Sequence, residues 1–296
     1  MTEPDPFTTF RPLLFTIAYQ ILGSATDAED VLQDSYLRWR DATDVTHPRA
    51  YLVQIVTRRS INHLRTIRRR REDYVGTWLP EPIRTTPEAG HDVVLAESVS
   101  MAMLLVLESL GPTERAVFVL AEVFGYSHAE IATMIDKSEV AVRQIAHRAR
   151  THVAARRRRF RHDSDTSRAV ISRFLSAAAT GDISALMAVL APDVIQISDG
   201  GGQVSAARRP IHGAEPVARF LIGLAQNAMA GASVEFGSVN AMPAVLAGFG
   251  DGDLDTVLVV EIADDRITGL YAIRNPDKLR FVDVARTLDI TADPPA

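Results

Sequence analysis

The chain reads as multidomain: an all-α N-terminal half in two helical segments, followed by an α+β domain. Three observations predict this. Apolar residues recur at helical spacing over 10–71 and again over 92–160. Between them YVGTWLPEPIRTTPEAGHD places Pro80, Pro82 and Pro87 where no helix could continue. Beyond polar HDSDTS at 162–167 the character changes: helical stretches at 166–180 and 182–190 precede VIQIS, SVEFGSV, AVLAGFG, TVLVVEIA and ITGLYAI, runs rich in β-branched residues and divided by turn residues.

At 296 residues and 47% hydrophobic the chain can bury ordinary cores. Without cysteine it has no disulfide, thiolate metal site or cysteine nucleophile, which suits a reducing compartment. MTEPDPFTTFRP lacks the basic and apolar regions of a secretion signal, and no run of about 18 apolar residues follows, so a cytoplasmic protein with no membrane partner is expected. The net charge of -5 hides an asymmetry, because basic residues slightly outnumber acidic ones through His162 and acidic ones dominate afterwards. The basic residues are bunched in RRSINHLRTIRRRR at 58–71 and RQIAHRARTHVAARRRRFR at 143–161. Two arginine-rich blocks in register with helical patterns point to a polyanion.

In the first block Thr26-Asp27-Ala28-Glu29 fits a capping box that would open a helix. Ala28, Val31, Leu32, Ser35 and Trp39 then share one face, while Asp27, Asp30 and Asp34 line another as an acidic strip. A second helix over about 48–70 buries Tyr51, Leu52, Ile55, Val56, Ile61 and Leu64, leaving Arg58, Arg59, Asn62, His63 and Arg65 outside. Guanidinium forks suit phosphates and base edges.

In the second block Ser127-His128-Ala129-Glu130 is a capping box for a short helix with Ile131, Met134 and Ile135 inward. Asp136-Lys137 turn the chain, and Ser138 can cap the next helix. This is helix-turn-helix order. Val142, Ala146, Ala149 and Val153 form the packing stripe of that next helix. Arg143, Gln144, His147, Arg148 and Arg150 fall outside it, preceded by Ser138 and Glu139, and can enter a major groove. The later arginines suit phosphates.

Taken together, AYQILGSATDAEDVLQDSYLRWRD, HPRAYLVQIVTRRSINHLRTIRRRR and LGPTERAVFVLAEVFGYSHAEIATMIDKSEVAVRQIAHRAR resemble the two domains of extracytoplasmic-function sigma factors. YVGTWLPEP, DGGGQV at 199–204 and NPDKL at 275–279 resemble the SigJ-type subgroup, whose members carry a SnoaL-like tail. The resemblance implies four segments: a sigma region 2 domain over 6–72, a linker over 73–91 containing WLPEP, a region 4 helix-turn-helix domain over 92–161, and a SnoaL-like, NTF2-like cone over 166–290. It implies initiation of transcription with core RNA polymerase on promoter DNA. Asp27, Glu29, Asp30, Gln33, Asp34 and Tyr36 would dock on the clamp helices of the largest polymerase subunit, and region 4 on the subunit bearing the flap. Residues 58–65 would capture the minus-ten element, and Ser138 to Arg150 would read the minus-thirty-five element. Three positions depart from the family pattern: Arg58 and Asn62 stand where many relatives have asparagine and aspartate, and Ile145 where a basic residue is common.

The resemblance also implies a tail acting in place of a separate anti-sigma protein. Trp78, Leu79, Pro80, Glu81 and Pro82 would then face Asp199, Gly200, Gly201 and Gly202 together with Asn275, Pro276, Asp277, Lys278 and Leu279. The cone has a place for an unidentified small ligand. Asp199 and His212 are its only tempting acid–base candidates, but no nucleophile, phosphate loop or metal-spaced cluster accompanies them, so no enzyme activity, cofactor or metal is expected. DGDLD at 251–255 lacks the glycine and glutamate of a calcium loop and reads as a hairpin turn. Two other classes stay open: a helix-turn-helix repressor or activator with a ligand-sensing tail, and a SnoaL-like enzyme with a basic accessory domain.

Overall fold

A computed structural model describes the chain except residues 1–4, 87–92, 156–163, 229–232, 250–252, 281, 283 and 291–296. It divides into two compact units, one of Met1–Asp73, Asp92–Arg157 and Thr287–Ala296, the other of Tyr74–His91 and Arg158–Arg286. The arginines at 156–161 and Pro87 lie outside the described residues.

In the first unit α1 (Pro6–Leu22) ends at Gly23, whose φ of 70° turns the chain so that Ser24 caps α2 (Ala25–Arg40). The Ser24 hydroxyl accepts the Asp27 amide at 3.0 Å, so the cap is Ser24 and the expected Thr26–Glu29 box does not open this helix. Ala28, Val31, Leu32 and Ser35 are buried as their spacing predicts, against α1 and the 25-residue α3 (Pro48–Glu72). The second helical block comprises α4 (Val93–Val99), α5 (Met101–Glu108), α6 (Pro112–Phe118) with a π-helical extension (Val119–Val123), α7 (His128–Ile135) and α8 (Glu139–Ala154).

A buried polar network ties the two blocks. The Arg115 side chain, 1% exposed, donates to the Gln20 carbonyl at 2.8 Å and pairs with Glu108. Arg71 reaches Glu108 at 2.7 Å and the Leu22 carbonyl at 2.7 Å, and Gln20 donates to Ser98 at 3.0 Å. Near the C-terminus the Asp289 amide donates to Thr16 at 3.0 Å.

The second unit opens with α9 (Ser164–Thr180) and α10 (Ile183–Val189). Its sheet contains β1 (Leu190–Asp199), β2 (Ile211–His212), β3 (Ser233–Val239), β4 (Met242–Phe249), β5 (Asp253–Ala263) and β6 (Arg266–Ile273) in the order β2-β1-β6-β5-β4-β3. Among the described strands of this sheet, β1 and β6 pair in parallel and the other neighbours antiparallel. All five runs expected as strands are strands over their described residues. Two elements went unread: β2, which puts His212 opposite Ile195 rather than in a loop, and α11 (Ala214–Ala228). Pro216 there lies in the first turn, where a missing N–H costs nothing. Val170, Phe174, Val194, Val217, Val260 and Leu270 join these helices to one face of the sheet. DGDLD begins outside the described residues, and Asp253–Asp255 start β5. The last helix, α12 (Pro276–Leu279), is a single turn.

Candidate nucleic-acid interface and linker lock

The helix-turn-helix forms as its caps require. Ser127 accepts the Glu130 amide at 3.2 Å while Glu130 takes the Ser127 amide at 2.8 Å, and this bonding holds the Glu130 carboxyl below its usual range. Asp136 adopts φ 55° to end α7, and Ser138 caps α8 by accepting the Ala141 amide at 3.2 Å. Val142, Ala146, Ala149 and Val153 are buried; Arg143, Gln144, His147, Arg148 and Arg150 are exposed. Arg143 pairs with Glu139 at 2.7 Å, Arg150 with Glu122 at 2.6 Å and Arg148 with Glu114 at 3.8 Å. Such exposed pairs are worth about 0–1 kcal/mol and yield readily to a phosphate.

On α3 the expected minus-ten residues have protein partners. Arg58 donates through Nε to the Met134 carbonyl at 2.6 Å and through Nη2 to the Thr133 carbonyl at 3.1 Å, the latter shared with Gln54 at 3.0 Å. Its guanidinium therefore satisfies the free carbonyls at the end of α7. Arg59 meets Asp34 at 2.6 Å, His63 meets Asp27 at 2.8 Å, and Arg65 reaches Asn62 at 3.0 Å and Thr113 at 3.2 Å. Arg58, Arg59, Asn62 and His63 line a groove of about 580 Å³ together with Asp34. The expected polymerase-docking set is thus divided. Asp27 and Asp34 face α3, Glu29 pairs with Arg11 of α1 at 2.5 Å, Tyr36 packs edge-on against Phe7, and Asp30 and Gln33 are exposed.

In the second unit WLPEP, DGGG and NPDKL come together. Asp199, 1% exposed, accepts four hydrogen bonds: Tyr74 Oη at 2.6 Å and Gly201 N at 3.0 Å on Oδ1, Leu79 N at 2.8 Å and Lys278 Nζ at 2.7 Å on Oδ2. Lys278 also donates to the Leu79 carbonyl and lies 4.2 Å from the Trp78 ring centroid and 4.9 Å from that of Tyr74. Asn275 donates to Tyr74 Oη at 2.7 Å and caps α12 by accepting the Asp277 amide at 3.0 Å. Leu79, Pro80, Pro82 and Leu279 are buried, Trp78 and Glu81 half-buried, and Pro276 exposed. Burial, then the bond to Asp199, pushes the Tyr74 phenol well above its ordinary pKa. Gly201, at φ 61°, has no room for a side chain, since a Cβ would lie 2.5 Å from the Asn275 amide; one on Gly200 would lie 2.4 Å from the Val204 carbonyl. Gly202 faces Val75.

The segment read as a linker continues into the sheet. Ile83 N donates to Asn240 Oδ1 at 3.1 Å, Asn240 N to the Ile83 carbonyl at 2.9 Å, and Thr85 N to the Ser238 carbonyl at 3.0 Å. Sequence reasoning missed Tyr74, Ile83, Thr85 and Asn240; no local pattern announces pairings more than a hundred residues apart. Asp199 spends both oxygens on these partners and His212 is exposed on β2, so the two candidate acid–base groups have separate surroundings.

Comparisons with known proteins agree with this layout. The family models for Sigma-70 region 2 and Sigma-70, region 4 match residues 7–71 and 100–153. The chain is 35% identical over 291 residues to the ECF RNA polymerase sigma factor SigJ of Mycobacterium tuberculosis, covering 93% of each. It is 30% identical over 290 residues to the probable ECF RNA polymerase sigma factor SigI of that organism, covering 94% of this chain and 97% of the other. The crystal structure of M. tuberculosis SigJ superposes with a TM-score of 0.75 at 33% identity, over 93% of this chain and 98% of that one. An α+β unit follows the helical sigma domains in the chain, as expected. With both sigma-70 regions in order and full-length relatives of this kind, the chain belongs to the extracytoplasmic-function sigma factors, which bind RNA polymerase and promoter DNA to initiate transcription.

Proposed function

We propose that this sigma factor is restrained by its own C-terminal domain, which takes the place of a separate anti-sigma protein by holding the segment between its two DNA-binding regions. The observation that carries this is the Asp199–Lys278 pair, which fastens Leu79 and Trp78 into the second unit. Regions 2 and 4 are joined in the chain through that segment, so its attachment limits how far they can separate. In the open state the α2 acids dock on the clamp helices of the largest polymerase subunit and region 4 on the subunit bearing the flap. Arg58, Arg59, Asn62, His63 and Arg65 then hold the minus-ten element, while α8 reads the minus-thirty-five element. The Arg58 contacts to α7 support a closed counterpart, since the same guanidinium cannot serve both partners. The domain acts by position and not by catalysis, in the cytoplasm; no described helix is long and apolar enough to cross a membrane. A small molecule in the cone would shift the balance by preferring one arrangement.

The test is reconstitution with sigma-free core polymerase on supercoiled DNA, comparing the full chain with chains ending after Phe160, after Gln203 and before Asn275. Initiation by at least one form and altered activity on truncation are expected. Identical activity across all four would remove the regulatory reading, and no initiation by any would remove the minus-ten and minus-thirty-five assignments.

A further inference from the structure

Among the large hydrophobic residues of α8 the exposed one is Val140, at 65%. It is at i−4 from Gln144 and i−7 from His147, hence on their strip and opposite the buried Val142, Ala146, Ala149 and Val153. A lone exposed valine is ordinary on a protein surface. This one stands in the first turn of a recognition helix, among polar and charged groups, at a position where a β-branched residue does not favour the helix and where most of the side chain lies in solvent. Folding therefore gains little from it. Arg143 and Arg148 flank the strip on its two sides, so a duplex drawn in by the guanidinium groups would present its base edges to Val140, Gln144 and His147. The one apolar feature of a base-pair edge in the major groove is the thymine methyl group. Valine offers two methyls on a side chain with a single stiff torsion, so little freedom is lost in the contact.

We propose that Val140 is a specificity residue that recognises a thymine methyl in the minus-thirty-five element. This rests on the reading of α8 as the minus-thirty-five reader. The test uses the full chain with core polymerase and a duplex whose minus-thirty-five element has been selected from random sequence, each thymine being replaced in turn by deoxyuridine. At one thymine the native chain should bind about fourfold more weakly with uracil, the loss expected for one methyl returned to water. Val140→Ala should be indifferent to that replacement while melting at the same temperature as the native chain, and Val140→Ile should restore the discrimination. The proposal is overturned if no uracil weakens the native chain, or if Val140→Ala discriminates as the native chain does. Should Arg143→Ala and Gln144→Ala bind selected and scrambled elements with unchanged preference, the role of α8 itself fails and the methyl contact with it. If those variants lose preference but Val140→Ala still tells thymine from uracil, only the methyl contact falls.

Discussion

Asp199→Asn changes one atom at the centre of the linker lock. The carboxylate accepts from Tyr74, Gly201, Leu79 and Lys278, two donors on each oxygen. An asparagine keeps one oxygen and turns a donor toward two of those donors. Lys278, 8% exposed, is left with the Leu79 carbonyl and the faces of Trp78 and Tyr74. Removing one partner of a buried ion pair costs about 3–5 kcal/mol. The two rings return part of that to the ammonium, about 0.5–2 kcal/mol each, so the lower end applies and we take about 3 kcal/mol. At 1.4 kcal/mol per decade the population with a detached linker rises about a hundredfold. Amide hydrogen exchange at Leu79, Ile83 and Asn240 reads this directly, because those amides bond only while the linker is seated. Pairing Asp199→Asn with Lys278→Met removes the stranded charge and should recover most of the protection. Exchange in the single variant within about threefold of the native rate would refute the reasoning.

Gly201→Ala should release the same lock by a steric route, since both the positive φ and the Asn275 amide oppose a methyl; strain of about 1–3 kcal/mol would appear as faster proteolysis between Tyr74 and Thr86. Burial alone would raise Glu108, but Arg115 and Arg71 outweigh it and hold the carboxyl below its usual range. Its folded value being depressed, its contribution is present above the unfolded value of about 4.3 and lost as pH falls through the folded one, so acid titration by circular dichroism should show a loosening that Glu108→Gln lacks. That variant should also lower the neutral-pH melting temperature by several degrees, because Arg115 is left buried without its carboxylate. Tyr74 has the opposite sign: its raised folded value makes the lock intact below about pH 10 and weaker as pH rises above it, and Tyr74→Phe should abolish that alkaline limb of Leu79 exchange. Arg58→Ala strips the Met134 carbonyl of its side-chain donor and leaves Thr133 with Gln54 alone, and exchange at the α7–α8 turn should quicken about fivefold or more, for a loss of about 1–3 kcal/mol.

Helices and strands with strong periodicity were legible, down to the Ser127–Glu130 box and the buried stripe of α8. The errors fell where a neighbour decides the outcome. Ser24 caps α2 because Gly23 turns there, and α11 is held by packing on α9, α10 and β1. Among the site residues the exposed arginines of α8 could be named from spacing alone. The contacts of Arg58 could not: its sequence announces a nucleic-acid ligand, but its hydrogen bonds run to carbonyls about 75 residues away.

The sequence by itself determined the helical blocks, the helix-turn-helix and the basic stripes, since caps, periodicity and charge act over a few residues and are written in consecutive letters; the family came from the resemblance of its motifs. Only the tertiary structure decided what those surfaces touch. Asp199, Lys278 and Tyr74 are separated along the chain yet share one desolvated site, where each charge and hydrogen bond is defined by groups brought from elsewhere. Burial of that kind is a property of the packed fold and has no local signature.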